Sequence, residues 1–135
     1  MPRPPSARQT GRIDLFVRDI NLPGVLEIGS YHYKTAQRGL QEVSHEGCFG
    51  ICHLGRGRQT YRVDGELCHL QGGDQLLTLP GETLDTAGTP EEKSHLYWFV
   101  LRMQPMHVPL LFLEAAAAAA LRKILLALPR RHFAA

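Results

Sequence analysis

The chain has 135 residues, 44% hydrophobic and 21% charged, with fifteen basic against thirteen acidic side chains. That length suits one domain, able to bury roughly two thirds of its unfolded surface without disulfides or a metal, and the composition excludes a wholly disordered chain. A formal net charge of +2 is too small to specify a nucleic-acid surface or a membrane-binding face.

Residues 1–12 hold Pro2, Arg3, Pro4, Pro5 and Arg8 without the apolar run of a signal peptide, and read as a flexible arm. Short apolar runs follow at 13–17 and 25–34; in the second, Val25, Tyr31 and Tyr33 take one parity and Leu26 and Ile28 the other. Strands are expected at 48–54 and 59–63, with Gly55-Arg56-Gly57 as the turn between them. Asp64-Gly65 then predicts a two-residue hairpin into 67–70, because a tight turn of the favoured hand needs positive φ at both central positions. Gly72-Gly73-Asp74 leads into 75–79, Pro80-Gly81 into 83–87, and 95–102 is a strand rich in aromatic residues. Turn signals recurring about every 8 to 12 residues favour a sandwich or barrel.

The pattern changes at 110–128. Leu110, Leu113, Ala117, Leu121, Ile124, Leu125 and Leu128 recur at helical spacing, with Arg122 and Lys123 off that face, and Pro129 ends the helix. Ala115 to Ala120 supply high helix propensity. Glu114, Arg122 and Lys123 exclude a membrane span here, since a charge at mid-bilayer costs about 2.5–3.5 kcal/mol. Arg122, Arg130 and Arg131 read as a solvated basic end.

Three cysteines, Cys48, Cys52 and Cys68, without a signal peptide read as free, buried thiols in a reducing cytoplasm. Cys48 and Cys52 share a strand face but sit about 13 Å apart at 3.3 Å per residue, beyond the roughly 7 Å reach of a disulfide. A sensing or soft-metal thiol set completed by Cys68 is the alternative. The seven histidines lack metal-ligand spacing, and no nucleophile, base and orienting acid stand together in a catalytic motif. Tyr97 and Phe99 share one face of their strand and Trp98 takes the other, where an indole can stack on a flat or sugar ligand.

The stretch HLGRGRQTYRVDGELCHLQGGDQLLTLPGE, residues 53–82, resembles the small-barrel cupin, and specifically the N-terminal cupin of AraC-type transcription regulators. The matching features are the Gly-x-Gly turn, the run into Val63-Asp64-Gly65, the Gly73-Asp74 turn, the Leu76-Leu77 strand and the Pro80-Gly81-Glu82 turn. The segment LRKILLALPRRHF, 121–133, is similar to the stretch following the barrel in those regulators. The resemblance implies a mainly β fold: a small double-stranded β-helix (cupin, jelly-roll barrel) followed by a C-terminal α-helix. The arm would be 1–12, the barrel 13–104, and the linker with its helix 105–135.

In metal-binding cupins the first motif supplies two histidines and a glutamate and the second a third histidine. Here the histidine positions fall on Glu42, Ser44 and Leu84 and the glutamate position on Cys48. The resemblance therefore implies no metal, no cofactor and no catalytic residue. His45 lies one residue off the pattern; a one-residue shift turns a side chain to the other face, and a bulge at Gly47 would restore it. Glu42, Ser44, Cys48 and Leu84 are expected inside the barrel, with Arg62 or Arg38 as the counter-charge of Glu42 and Trp98 as a stacking surface. These make Glu42, Ser44, Cys48, Arg62, Leu84 and Trp98 the candidate effector-binding set. The implied role is a cytoplasmic, non-catalytic sensor of a sugar or organic metabolite that self-associates within a longer regulator. DNA would be read by a helix-turn-helix domain that this chain lacks, and no membrane partner is expected. The alternatives are a small cupin enzyme, isomerase or dioxygenase, or a stand-alone small-metabolite-binding barrel.

Overall fold

The computed structural model describes residues 12–135, so the arm expected over 1–12 lies, apart from Arg12, outside the described residues. The elements in order are β1 (Arg12–Phe16), a single 3-10 turn, β2 (Val25–Tyr33), β3 (Val43–Ser44), β4 (Cys48–Val63), β5 (Glu66–Gln71), β6 (Gln75–Thr78), β7 (Thr83–Asp85), β8 (Ser94–Arg102), α1 (Ala115–Leu126) and β9 (His132–Phe133). One sheet runs β1-β2-β8-β4-β6-β9; the other joins β3, β7, β4 and β5. All the pairings are antiparallel, and the sheet is not closed into a ring. This is the mainly β jelly-roll arrangement with one C-terminal helix that the resemblance implies.

The Asp64-Gly65 hairpin forms as expected: φ is +48° at Asp64 and +86° at Gly65, and Val63 faces Glu66 in register. Gly55-Arg56-Gly57 does not turn the chain. β4 continues through it for sixteen residues, with a register shift between Leu54 and Arg56 against β8. Gly57 has φ +99°, and a Cβ there would come 2.6 Å from the Lys93 carbonyl oxygen, so only glycine fits. A bulge bends and over-twists a strand without ending it. Here it carries β4 from β8 and β6 on one side to β5 and β7 on the other.

Period-2 alternation then divides the apolar side chains. Between the sheets lie Tyr31, Cys52, Leu54, Tyr61, Leu70, Leu76 and Leu96. On the outer face of the larger sheet, Val25, Phe49, Leu77, Leu101, Met103 and Leu110 pack with Ala118 of α1. Tyr97 and Phe99 also point outward and Trp98 inward.

The helix begins later than its pattern predicts and shows a different face. Leu111 has φ +53° and Glu114 an extended backbone, so the chain turns before α1 starts at Ala115. Arg122, expected off the buried face, is 0% exposed, whereas Ile124 is 61% exposed. The reason is unpaired carbonyl oxygens where the chain leaves β8. Arg122 donates from Nε to the Arg102 oxygen at 3.0 Å and from Nη1 to the oxygens of Met106, at 2.9 Å, and Val108. A guanidinium with five donors in a fixed fork answers several acceptors at once, which no leucine can do.

Of the three arginines read as a solvated basic end, only Arg130 is exposed. β9 pairs with β6, Arg131 Nε meets Glu82 at 2.8 Å, and His132 Nε2 meets Asp74 at 2.7 Å. Asp74 also accepts from the backbone N–H groups of Gln71 and Ala135. The Gln71 bond, followed by His132, holds its carboxyl below the usual carboxylate range. No helix among the described residues is long and apolar enough to cross a membrane.

Substituting Arg122→Ala removes the donor shared by three part-buried carbonyl oxygens, and hydrogen bonds to a charged group are worth about 1.5–3 kcal/mol each. Urea unfolding should show a loss of about 3 kcal/mol or more; a loss below about 1 kcal/mol would mean that Arg122 does not hold α1 against the sheet.

Candidate functional site

The two sheets leave a half-open cavity of about 220 Å³ between them. Inward positions of the larger sheet form its floor in three cross-strand rows, set by the register. The first row is Glu27, Val100, Gly50 and Thr78; the second is Gly29, Trp98, Cys52 and Leu76; the third pairs Tyr31 with Leu96. Val43, Tyr61 and Leu84 close it from the smaller sheet, and Leu40, His45 and Glu91 come from connecting segments.

Two glycines make room for larger neighbours. A Cβ at Gly29 would fall within the six-membered ring of Trp98, and one at Gly50 would overlap Thr78 Oγ1. The indole therefore lies flat over β2, where the guanidinium of Arg12 covers it at 4.8 Å from the ring centroid. Arg12 is fixed there by Asp14, with Nε 3.1 Å from Oδ2.

The polar inventory is dense for so small a space. Tyr31 is 1% exposed, and its hydroxyl faces Tyr61 and Ser94 without a hydrogen bond of normal geometry to either. Burial lifts the Tyr31 and Tyr61 phenols above their ordinary range, and the nearby charge of Glu91 adds to both. The Cys52 thiol is pushed up to about 12, again by burial first. Burial, and then the charge of Glu91, also raises Tyr33, with Arg12 opposing. Glu27 is raised by burial and then by Asp14, while His45, Arg12 and the Trp98 N–H oppose the shift. All these hydroxyl and thiol groups are held neutral near pH 7.

Of the expected site residues, Leu84 and Trp98 line this cavity. Glu42 and Ser44 face solvent, because Val43 and His45 take the inward parity around β3; the expected register is displaced by one residue. Arg62 is exposed on the far side of β4 and pairs with Asp85 at 2.8 Å, with the charge of Glu42 a lesser influence on it. Cys48 is buried opposite Arg102 at the start of β4, away from the cavity lining. Cys48, Cys52 and Cys68 are all free and buried, and burial raises the pKa of each, which makes them poor nucleophiles and poor metal ligands.

Arg12, Glu27, Tyr31, Tyr61 and Glu91 were not singled out from the sequence as site residues. Parity grouped Tyr31 with Val25 and Tyr33 without deciding which face is inward, and Gly29 facing an aromatic strand is the local signal for a ring laid on a backbone. Glu91 carries no such signal, since it reaches the cavity from a loop through long-range contacts. Elsewhere, His32 and His95 stack at 4.1 Å on the outer face, and His32 Nε2 lies 2.9 Å from the Tyr97 hydroxyl. Among the described residues no three His, Cys, Asp or Glu side chains converge as a metal-holding group.

Comparison with known proteins places this geometry. The family model described as AraC-like ligand binding domain matches residues 31–127. Among solved structures, a cupin protein from Bacteroides fragilis superposes with a TM-score of 0.57 at 22% identity, over 73% of this chain and 81% of its own. The Cnp3 cupin domain of Schizosaccharomyces pombe gives 0.53 at 11% identity, over 70% and 66%. A protein from Photorhabdus luminescens gives 0.50 at 10% identity, over 84% and 81%. At these identities the likeness is one of fold. No curated protein matches the chain.

Gly29→Ala should displace the indole, with a cost of about 1–3 kcal/mol for the forced contact. Trp98 is the sole tryptophan, so its emission reports directly: a red shift with reduced stability is expected. Unchanged emission and stability would show that the ring does not rest on Gly29.

Proposed function

Because the chain belongs to the AraC-like ligand binding domain family, we propose that it is the effector-sensing module of an AraC-type transcription regulator, and that it binds a small metabolite without transforming it. The observation that carries this reading is the cavity between the sheets, where a fully buried Tyr31 hydroxyl lacks a hydrogen bond of normal geometry. A buried polar group left unmatched costs about 1–3 kcal/mol, and a ligand that satisfies it recovers that cost on binding. The inward set also suits holding rather than turnover. Its thiol and phenols are raised well above neutrality, so none is an ionised nucleophile near pH 7.

Sensing requires that occupancy favour one state of the module over another. In this reading the barrel, 13–104, recognises the effector and 105–135 transmits the result. Leu76 supports that division: its side chain lines the cavity while its backbone pairs with His132 of β9. Self-association, a cytoplasmic setting and DNA reading by a further domain complete the proposal, with neither metal nor other cofactor required.

A thermal-shift screen of sugars, organic acids and amines tests it. A true effector at 100 times its dissociation constant adds about 2.7 kcal/mol, should alter Trp98 emission, and should be recovered unchanged by NMR after prolonged incubation. Conversion of the bound compound, or no stabilisation by any class, would overturn the sensing role.

A further inference from the structure

Among the described residues, the cavity offers a ligand an open hydrogen bond and no unengaged charge. Tyr31 is 1% exposed, and its hydroxyl stands beside Leu96 without a hydrogen bond of normal geometry. Its neighbour Ser94 is turned away, donating from Oγ to the Glu92 carbonyl oxygen at 2.9 Å. We propose that the effector is uncharged: a compact molecule whose apolar body lies against Val43, Leu76, Leu84 and Val100 and whose oxygen accepts a hydrogen bond from the Tyr31 hydroxyl. This rests on the cavity being the effector site.

Three observations point the same way. First, the charged side chains of the wall are occupied with one another. Arg12 meets Asp14 at 3.1 Å and lies over the Trp98 ring, and the charge of Glu91 acts on it as well. Glu27 faces the Trp98 N–H, His45 and Arg12. An ion of either sign would give up its water here without gaining a counter-charge of its own, and burial penalises both signs alike. Second, Val43, Leu76, Leu84 and Val100 supply apolar surface from both sheets, which suits a hydrocarbon body between the polar groups. Third, a phenolic O–H is a donor that a pure hydrocarbon would leave unmatched, whereas a hydroxyl or carbonyl oxygen completes it. The volume, about 220 Å³, equals about seven waters at roughly 30 Å³ each, which limits the ligand to a compact molecule.

The test uses the full chain and two matched series at constant ionic strength: 1-butanol, butylamine and butyrate, and benzyl alcohol, benzylamine and benzoate. Binding is read from Trp98 emission and the unfolding midpoint. The alcohol of at least one series should bind at least about tenfold more tightly than its amine and its acid. Tyr31→Phe should weaken that alcohol at least about fivefold in Kd while leaving the unfolding midpoint of the free chain at or above its wild-type value, because the variant removes an unmatched hydroxyl. The wild-type comparison decides the ligand class without the variant should it fold poorly. Equal or tighter binding of the amine or acid, no binding of either alcohol, or an alcohol affinity that Tyr31→Phe leaves unchanged overturns the inference. If a compound of the wider screen then binds, the cavity remains the effector site for a ligand of different chemistry; if none does, both readings fall.

Discussion

A single strand that belongs to both sheets is the constraint on which the rest of this structure depends. β4 pairs with β8 and β6 along Cys48–Gly57 and with β5 and β7 along its remainder, and the bend between them sits at Gly55-Arg56-Gly57. Because the strand never ends, the sheets diverge from a common edge and leave a wedge of space between them. Side chains fill the narrow end, where Leu54, Leu70 and Leu96 are buried. The wide end stays open and collects the polar groups. Gly57 makes this possible, since any side chain there would meet the Lys93 carbonyl.

A buried arginine and a half-buried one answer the same physical problem in different places. Arg122 satisfies backbone oxygens left where β8 runs out, and so fixes α1 over the outer sheet. Arg12 meets Asp14 and the Trp98 face at the cavity wall. In each case a long apolar stem ends in several donors, so directed contacts offset part of the cost of burying the charge, while Nη2 of Arg122 is left without a hydrogen-bond partner among the described residues. Outside the wedge, the exposed Arg62 pairs with the buried Asp85, chiefly through a hydrogen bond.

Local chemistry made much of the fold legible. Asp64-Gly65, Gly73-Asp74 and Pro80-Gly81 are turns whose positive φ values depend on their own residues, and all three stand where the sequence puts them. The inward direction of Trp98, opposite to Tyr97 and Phe99, follows from strand alternation alone. Three readings failed for non-local reasons. Gly55-Arg56-Gly57 resembles a turn in composition, and only pairing with β8 on one side makes it a bulge. The parity of Glu42 and Ser44 depends on where the irregular segment before β3 enters the sheet, which no residue in that segment announces. Arg122 looked solvated because a helical wheel weighs hydrophobicity and takes no account of carbonyl oxygens waiting on a neighbouring element. The charged lining is the least legible part, because Arg12, Glu27 and Glu91 are brought together from positions up to 79 apart in sequence.

All of this turns on the wide end of the wedge being a polar, water-accessible space rather than a packed interior. A crystal structure of the unliganded protein, at a resolution that places individual waters, measures that directly. Ordered waters should lie between the sheets, one of them within hydrogen-bond distance of the Tyr31 hydroxyl and another at the Glu27 carboxylate. A dry interior, with Trp98 and Leu84 closed against each other and Tyr31 bonded within the protein, would contradict the assignment of this cavity as a binding site.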